Sequence, residues 1–283
     1  MRDRSRIILS MNQLSNAERV QIISALVEGN SINSTCRMTG RSKHTVLKLL
    51  EQMGDACLKW HNLHVVNLST RNVQMDEIWG FVHSKDKNVQ SKNWGKGHGD
   101  CWTWVALDAE AKLIINWAVG GRDGGTGYPF VADTARRLAD RIQLTSDGWG
   151  VYREAVKRAF GDDVDYAQLI KEYGTERAGH ARYSPPTILA CHTNIEIGNP
   201  ERENINTSFV ERQNLTMRMG MRRFTRLTNG FSKKIENHKH AVALHFMHYN
   251  FCRIHKTLRV TPAMEAGIAD HVWEIEELVR LLD

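Results

Sequence analysis

Apolar residues recur at helical spacing in three short stretches near the start of the chain. Ile22, Ile23, Leu26 and Val27 follow Ser15 and Glu18, whose three-residue separation is a capping-box pattern, and Gly29 and Asn30 close that helix. A second short helix is predicted from about Ser31 to Thr39, with Gly40 making the turn. Val46, Leu49, Leu50 and Met53 stand at i, i+3, i+4 and i+7 behind Ser42, an N-cap residue, and predict a third. Three short helices with a glycine before the last fit a helix-turn-helix head over residues 1–56, or else a trihelical packing or dimerisation module. In the first reading Arg41, Lys43, His44 and Lys48 lie on the free N-terminal side of the third helix, where contacts to DNA would arise. Residues 57–70 show no period and read as a linker.

The pattern then changes to β. NVQMDEIWGFVHS is a run of β-formers, in which alternation puts Asp76 with Ile78 and Val82 on one face and Glu77 with Met75, Trp79 and Phe81 on the other. If both faces are covered, either acid is buried, which is costly unless it is paired or binds a metal. Alternation does not choose between the two. After a polar loop from Lys85 to Asp100, CWTWVALDAE and KLIINWAVG predict two further strands joined by a turn at Asp108 to Lys112, completing an antiparallel meander. GGRDGGTGY matches no phosphate-binding glycine motif and reads as a loop into a helix, with Pro129 in the first turn. A short strand, Ile142 to Thr145, ends at Ser146 and Asp147 before a helix near Val151. A carboxylate there stands either in a turn or at a site of the kind α/β folds build at strand ends.

Clustered breakers, including Pro185, Pro186 and Pro200, mark 161–206 as an irregular insertion with one more strand inside it. Ser208 and Glu211 repeat the capping-box spacing, and Glu211, Arg218 and Arg222 at i, i+7 and i+11 fall on one helix face. The helix then carries Arg212, Arg218, Arg222, Arg223 and Arg226 without another acid. Phe231 to Tyr249 reads as a long helix with Ile235, Val242, Phe246 and Tyr249 at core spacing. It leads to Arg253, Lys256 and Arg259, candidates for phosphate contact, and Pro262 closes the segment ahead of a helical tail over 261–283.

Composition sharpens this picture in two ways. From Arg212 to Arg259 there are 11 Lys and Arg against one acid, Glu236, while the rest of the chain is slightly acidic. A basic segment on an acidic body points to a polyanion, nucleic acid before others. The five cysteines are scattered without metal-ligand spacing, which implies reduced thiols and a cytoplasmic setting. No apolar run is long enough to span a membrane, and the first ten residues lack the apolar stretch of a secretion signal.

A first-strand acid, Asp147 and Glu211 thus occur in a β-β-β-α-β-α…α order. Three carboxylates brought to one point repel one another unless divalent cations lie between them, and oxygen-only ligation suits Mg2+ or Mn2+. Two such ions, roughly 3.5–4 Å apart, can drive phosphodiester chemistry. The blocks QMDEIWGFV, SDGWGVYREAV and FVERQNLTMR…RFTR, the last continuing through FSKKIENHKHAVALHFMHYNFCRIHKTL, resemble the DDE transposases of the insertion-sequence-one family. The resemblance covers roughly residues 70–260 and implies an α/β ribonuclease H-like catalytic domain over 71–260. It also implies Asp76, Asp147 and Glu211 as catalytic, metal-binding residues for two Mg2+ or Mn2+ ions, and so favours Asp76 over Glu77. It further implies a bacterial enzyme acting at the nucleoid, with Arg218, Arg222, Arg253, Lys256 and Arg259 on DNA. Its partners would be transposon ends and target DNA, handled by at least a dimer. The chain departs from that family in lacking the cysteines of the zinc ribbon that its members often carry ahead of the helix-turn-helix. A nuclease that does not join strands, or an inactive remnant acting as a repressor, are the alternatives.

Overall fold

The computed structural model describes residues 13–174, 187–225 and 229–283. Pro185, Pro186, Arg226 and the turn at Thr228 lie outside the described residues.

The first three helices form where the caps place them. The Ser15–Glu18 capping box is made in both directions at the head of α1 (Asn16–Val27). Ser31 caps α2 (Ile32–Thr39), which Gly40 ends in a left-handed conformation. Ser42 caps α3 (Lys43–His64). That third helix does not stop at residue 56: it runs two more turns through the expected linker, because Cys57 and His61 continue its buried face. Nor does the head have a core of its own among the described residues. Ile22, Val46, Leu50 and Met53 join the same apolar cluster as Met75, Trp104, Phe130 and Tyr152 of the body.

The body is a mixed six-stranded sheet in the order β3-β2-β1-β4-β5-β6. Its strands are β1 (Asn72–Val82), β2 (Gly99–Asp108), β3 (Ile114–Gly120), β4 (Ile142–Asp147), β5 (Val164–Tyr173) and β6 (Ile188–Ile197). β1, β2 and β3 form the antiparallel meander, while β4 lies parallel to both β1 and β5. The turn that joins β2 to β3 is an Asx turn, since Asp108 accepts from the Glu110 and Ala111 N–H groups at 2.7 and 3.1 Å. This mixed α/β sheet, with its β-β-β-α-β-α-β succession, is the arrangement required of a ribonuclease H-like core. Among its described residues the expected irregular insertion holds two strands rather than one, β5 and β6, which pair antiparallel over nearly their full length.

Helices cover both faces. α4 (Gly124–Arg137) and α5 (Gly150–Phe160) pack Phe130, Val131, Tyr152 and Val156 on the Met75–Trp104 face. Pro129 is not in the first turn of α4. The helix starts five residues before it, at Gly124, with Asp123 accepting from the Thr126 N–H at 3.1 Å. The opposite face carries Ile78, Val105 and Leu107 against Val210 and Met217 of α6 (Ser208–Gly220) and Val242 and Phe246 of α7 (Ile235–Met247). α7 is shorter than expected and continues as a π-helical turn, His248–Cys252. Two short helices end the chain, α8 (Pro262–Glu265) and α9 (Ile275–Arg280), and Pro262 opens the first of them behind the Thr261 cap. Asp283 reaches back to Arg19 of α1 at 3.5 Å, so the tail closes on the head.

Candidate active site

Strand lengths make the site. β4 pairs with β1 only as far as Ser146, opposite Met75, so Asp147 ends β4 level with Asp76 while β1 runs on paired with β2 alone. Past that end, side chains from both faces of β1 can turn toward the gap. Asp76 and Glu77 point to opposite faces by alternation, yet each brings a carboxylate oxygen to Asp147, all three lying within 4.8 Å of one another.

Each carboxylate is held differently. The Asn214 amide on α6 donates to Asp76 Oδ2 at 2.8 Å. Glu77 is buried, accepting from the Tyr152 hydroxyl at 2.8 Å and from Arg122. Asp147 accepts from the Trp149 N–H at 3.1 Å and from Arg122 Nη2 at 3.1 Å. Arg122 comes from the glycine-rich loop, which the Trp104 indole fixes by donating to the Gly121 carbonyl at 3.1 Å. Its guanidinium lies between Trp102 and Trp149, 4.9 Å from each ring centre. Neither Glu77 nor Arg122 was assigned to the site from the sequence. The signal for Glu77 was its place beside Asp76, but nothing local announces that Arg122 would cross 45 residues to meet it.

Crowding raises the affinity of the cluster for protons. Burial first, then the charges of Glu77 and Asp147, push Asp76 up to about 7. Burial and Asp147 raise Glu77 against the opposing pull of Arg122, and burial raises Asp147. The negative charge of Glu211 also disfavours ionisation of Asp76 and Asp147, which sets it beside the cluster. It stands outside the 4.8 Å group, exposed on the first turn of α6, where it accepts from the Thr207 hydroxyl at 2.6 Å and pairs with Lys171 of β5. The expected capping box at this helix is not formed. Ser208 is already helical and donates to Asn206 at 2.7 Å, and the Glu211 carboxylate takes the Thr207 hydroxyl and Lys171 of the sheet in place of a backbone N–H.

The donor set fits a divalent cation. It is all carboxylate oxygen, hard in character, and the charges of Glu77, Asp147 and Glu211 add to burial in raising the proton affinity of Asp76, repulsion that a cation would offset. Asp76 and Asp147 could hold an ion with Glu211 or Glu77 as the further ligand.

The basic residues fall into separate groups. Arg41, Lys43, His44 and Lys48 are exposed at the start of α3, with Arg41 paired to Glu18. Arg218 lies in the last turn of α6, but the helix ends at Gly220, so Arg222 is exposed beyond it in a one-turn Arg222–Phe224 segment. The single basic stripe expected through Arg222 is therefore broken. Arg253, Lys256 and Arg259 are exposed in the loop after the π-helical turn, where Arg259 adopts φ 67°.

No protein-family model matches this sequence, and no curated protein does. Solved structures similar to it include the piggyBac transposase synaptic complex with hairpin DNA, at 12% identity over 98% of this chain and 74% of that one, TM-score 0.43. Another is the Mos1 strand transfer complex, at 13% identity over 82% and 76%, TM-score 0.24. A third is the Mos1 mariner paired end complex with Mn, at 14% identity over 52% and 57%, TM-score 0.21. At such scores a likeness assigns no activity to this chain. No helix among the described residues is long and apolar enough to cross a membrane.

Proposed function

We propose that this chain is a DNA transposase of the DDE type, encoded by a bacterial insertion sequence and active at the nucleoid. It binds the element's terminal inverted repeats, cuts DNA to free a 3′-hydroxyl, and joins that hydroxyl to target DNA. The observation that supports this reading is the meeting of Asp76 and Asp147 where β4 ends, with Glu211 beside them on a helix that enters the basic segment.

Asp76, Asp147 and Glu211 hold two Mg2+ or Mn2+ ions. Bound there, the ions supply Lewis-acid chemistry that favours attack of water or a 3′-hydroxyl on the phosphodiester. Asn214 orients Asp76 by its amide hydrogen bond, and the Trp149 N–H orients Asp147. Lys171 holds the Glu211 carboxylate toward the sheet. Arg218 and Arg222 neutralise the DNA backbone near the cut, while Arg253, Lys256 and Arg259 hold flanking or target DNA. Arg41, Lys43, His44 and Lys48 read the ends. Each phosphate contact steepens the fall of affinity with salt. Joining two ends requires two active sites, hence at least a dimer.

A second reading of the ligand set is favoured by geometry: Glu77, rather than Glu211, lies within 4.8 Å of both aspartates. Against it, both Glu77 oxygens are already engaged, by Arg122 and by Tyr152.

The test is incubation with Mg2+, a labelled fragment carrying the inverted repeat that flanks the coding sequence, and a plasmid target. Joined products are expected. Cutting without joining would make the protein a nuclease, and shifted but uncut DNA would make it a repressor.

A further inference from the structure

A cavity of about 310 Å³ lies away from the carboxylates, between the head and the described residues that flank the α6–α7 connection, Met221 to Arg223 and Asn229 to Phe231. Its walls come from the ends of α1 and α6, the starts of α2 and α3, and α7 from Asn237 to His245. α1 and α6 meet there backbone to backbone: a Cβ at Gly29, whose φ is +79°, would stand 2.6 Å from the Gly220 carbonyl oxygen. The floor is apolar, with Leu26, Leu50, Met221 and Leu244. The rim is cationic, carrying Lys43, Arg222, Arg223, Lys233 and Lys234, and no carboxylate is among the described residues that line it.

Two groups in the lining lack the partners that their burial calls for. His245 is 7% exposed, its Nε2 has no hydrogen-bond partner, and burial lowers its pKa to about 3, so the ring is neutral. Its edge lies under Gly220, whose added Cβ would be 3.6 Å from the ring. A buried ring nitrogen without a partner is uncommon and marks a place where a ligand can supply one. Arg223 donates to the Ser232 hydroxyl at 2.8 Å, but its charge has no acidic partner among the described residues, and burial alone lowers its pKa to about 10. A desolvated guanidinium of this kind is stabilised by an anion, and its planar fork suits phosphate.

We propose that this cavity takes one unstacked nucleotide of the DNA on which the protein acts. The base enters over Leu244 and Met221, with its polar edge against His245, and the flanking phosphate is held by Arg223 and the rim lysines. An apolar floor with a few polar groups, entered from a cationic rim, is what a base with its phosphate requires. The open side adjoins the start of α3, where His44, Lys48 and Glu51 face Lys234 and Asn237 at the start of α7, so a strand lying on the head reaches the cavity over two lysines and past a single carboxylate. The assignment rests on DNA being the partner, but not on the carboxylates.

The test uses the full chain and two single-stranded oligonucleotides of equal length and charge. One carries a single 2-aminopurine and the other an abasic residue at that position. The 2-aminopurine strand is expected to bind about five- to tenfold more tightly. Ala241→Phe, which fills the cavity without changing charge, is expected to abolish that preference and leave the salt dependence intact. A strand with 5-iodouracil at the same position is expected to photo-crosslink to Phe231, Met221 or His245 in the unmodified protein, which needs no variant to fold. Equal binding of base and abasic strands, or crosslinks confined to other surfaces, would overturn the nucleotide site while leaving DNA binding standing. Failure of these strands and of a duplex of the same sequence to bind at low salt would overturn both.

Discussion

Arg122 joins Glu77 to Asp147: one guanidinium, between two tryptophan rings, bonds a buried glutamate and the aspartate at the end of β4. Arg122 supplies internal positive charge to an acidic cluster, and its removal leaves Glu77 buried without a cationic partner. Arg122→Ala is expected to cost about 2–3 kcal/mol, less than for a fully buried pair because the Arg122 side chain is 37% exposed. Adding Glu77→Gln should recover much of that loss, since the neutral amide no longer needs the cation. Chemical denaturation of the two variants checks this. Additive losses in the double variant would show that the pair is not coupled.

The pH dependence of stability should single out Asp76. Its pKa in the fold is raised to about 7 from the ordinary carboxylate value, so the folded state binds a proton that the unfolded chain releases. Its contribution is therefore fully present below pH ~4 and is lost as pH rises toward 7. Without divalent cations, Asp76→Asn should melt with the wild type at pH 4 and above it at pH 8, by on the order of 2 kcal/mol. Mg2+ should raise the melting temperature of the wild type at pH 8 and leave that of Asp76→Asn unchanged. Parallel melting curves at both pH values would contradict the crowding inferred here.

Glu77 and Glu211 make opposite predictions for catalysis. Glu211→Gln should lower Mg2+-dependent cutting on the order of 100-fold, whereas Glu77→Gln should lower it by less than about tenfold. Single-turnover cleavage rates decide the matter, and the reverse order would transfer the ligand role to Glu77.

Docking of the head on the body depends on Gly54. A Cβ there would stand 2.4 Å from the His240 Cβ and 2.5 Å from its Cα, backbone that cannot move aside cheaply. Alanine would gain about 1 kcal/mol of helix propensity but meet an overpacking cost of about 1–3 kcal/mol or more. Gly54→Ala should therefore lower stability by at least about 1 kcal/mol. A stabilised variant would show that α3 and α7 are not locked together.

Much of this was legible locally. The caps at Ser15, Ser31 and Ser42, the β alternation around Asp76 and the Asp108 turn are set by neighbours within four residues, and each formed as its sequence implies. The misses arose where distant partners decided. α3 runs on to His64 because Cys57 and His61 find the body's core, and β5 and β6 are strands because they pair with each other. The carboxylate of Glu211 pairs with Lys171, 40 residues away, and takes the Thr207 hydroxyl, instead of closing a capping box with Ser208. Arg122 is the plainest case, since its two carboxylates and two rings lie on three different segments, β1, β2 and the β4–α5 junction.

The central claim is that Asp76 and Asp147 hold a divalent cation with Glu211, and equilibrium Mn2+ binding tests it most directly. Free Mn2+ measured by electron paramagnetic resonance should show saturable binding to the wild type, weakened in Glu211→Gln and abolished in Asp147→Ala, with each variant shown to be folded. Binding that persists undiminished in Asp147→Ala, or a wild type that binds no Mn2+, would contradict it.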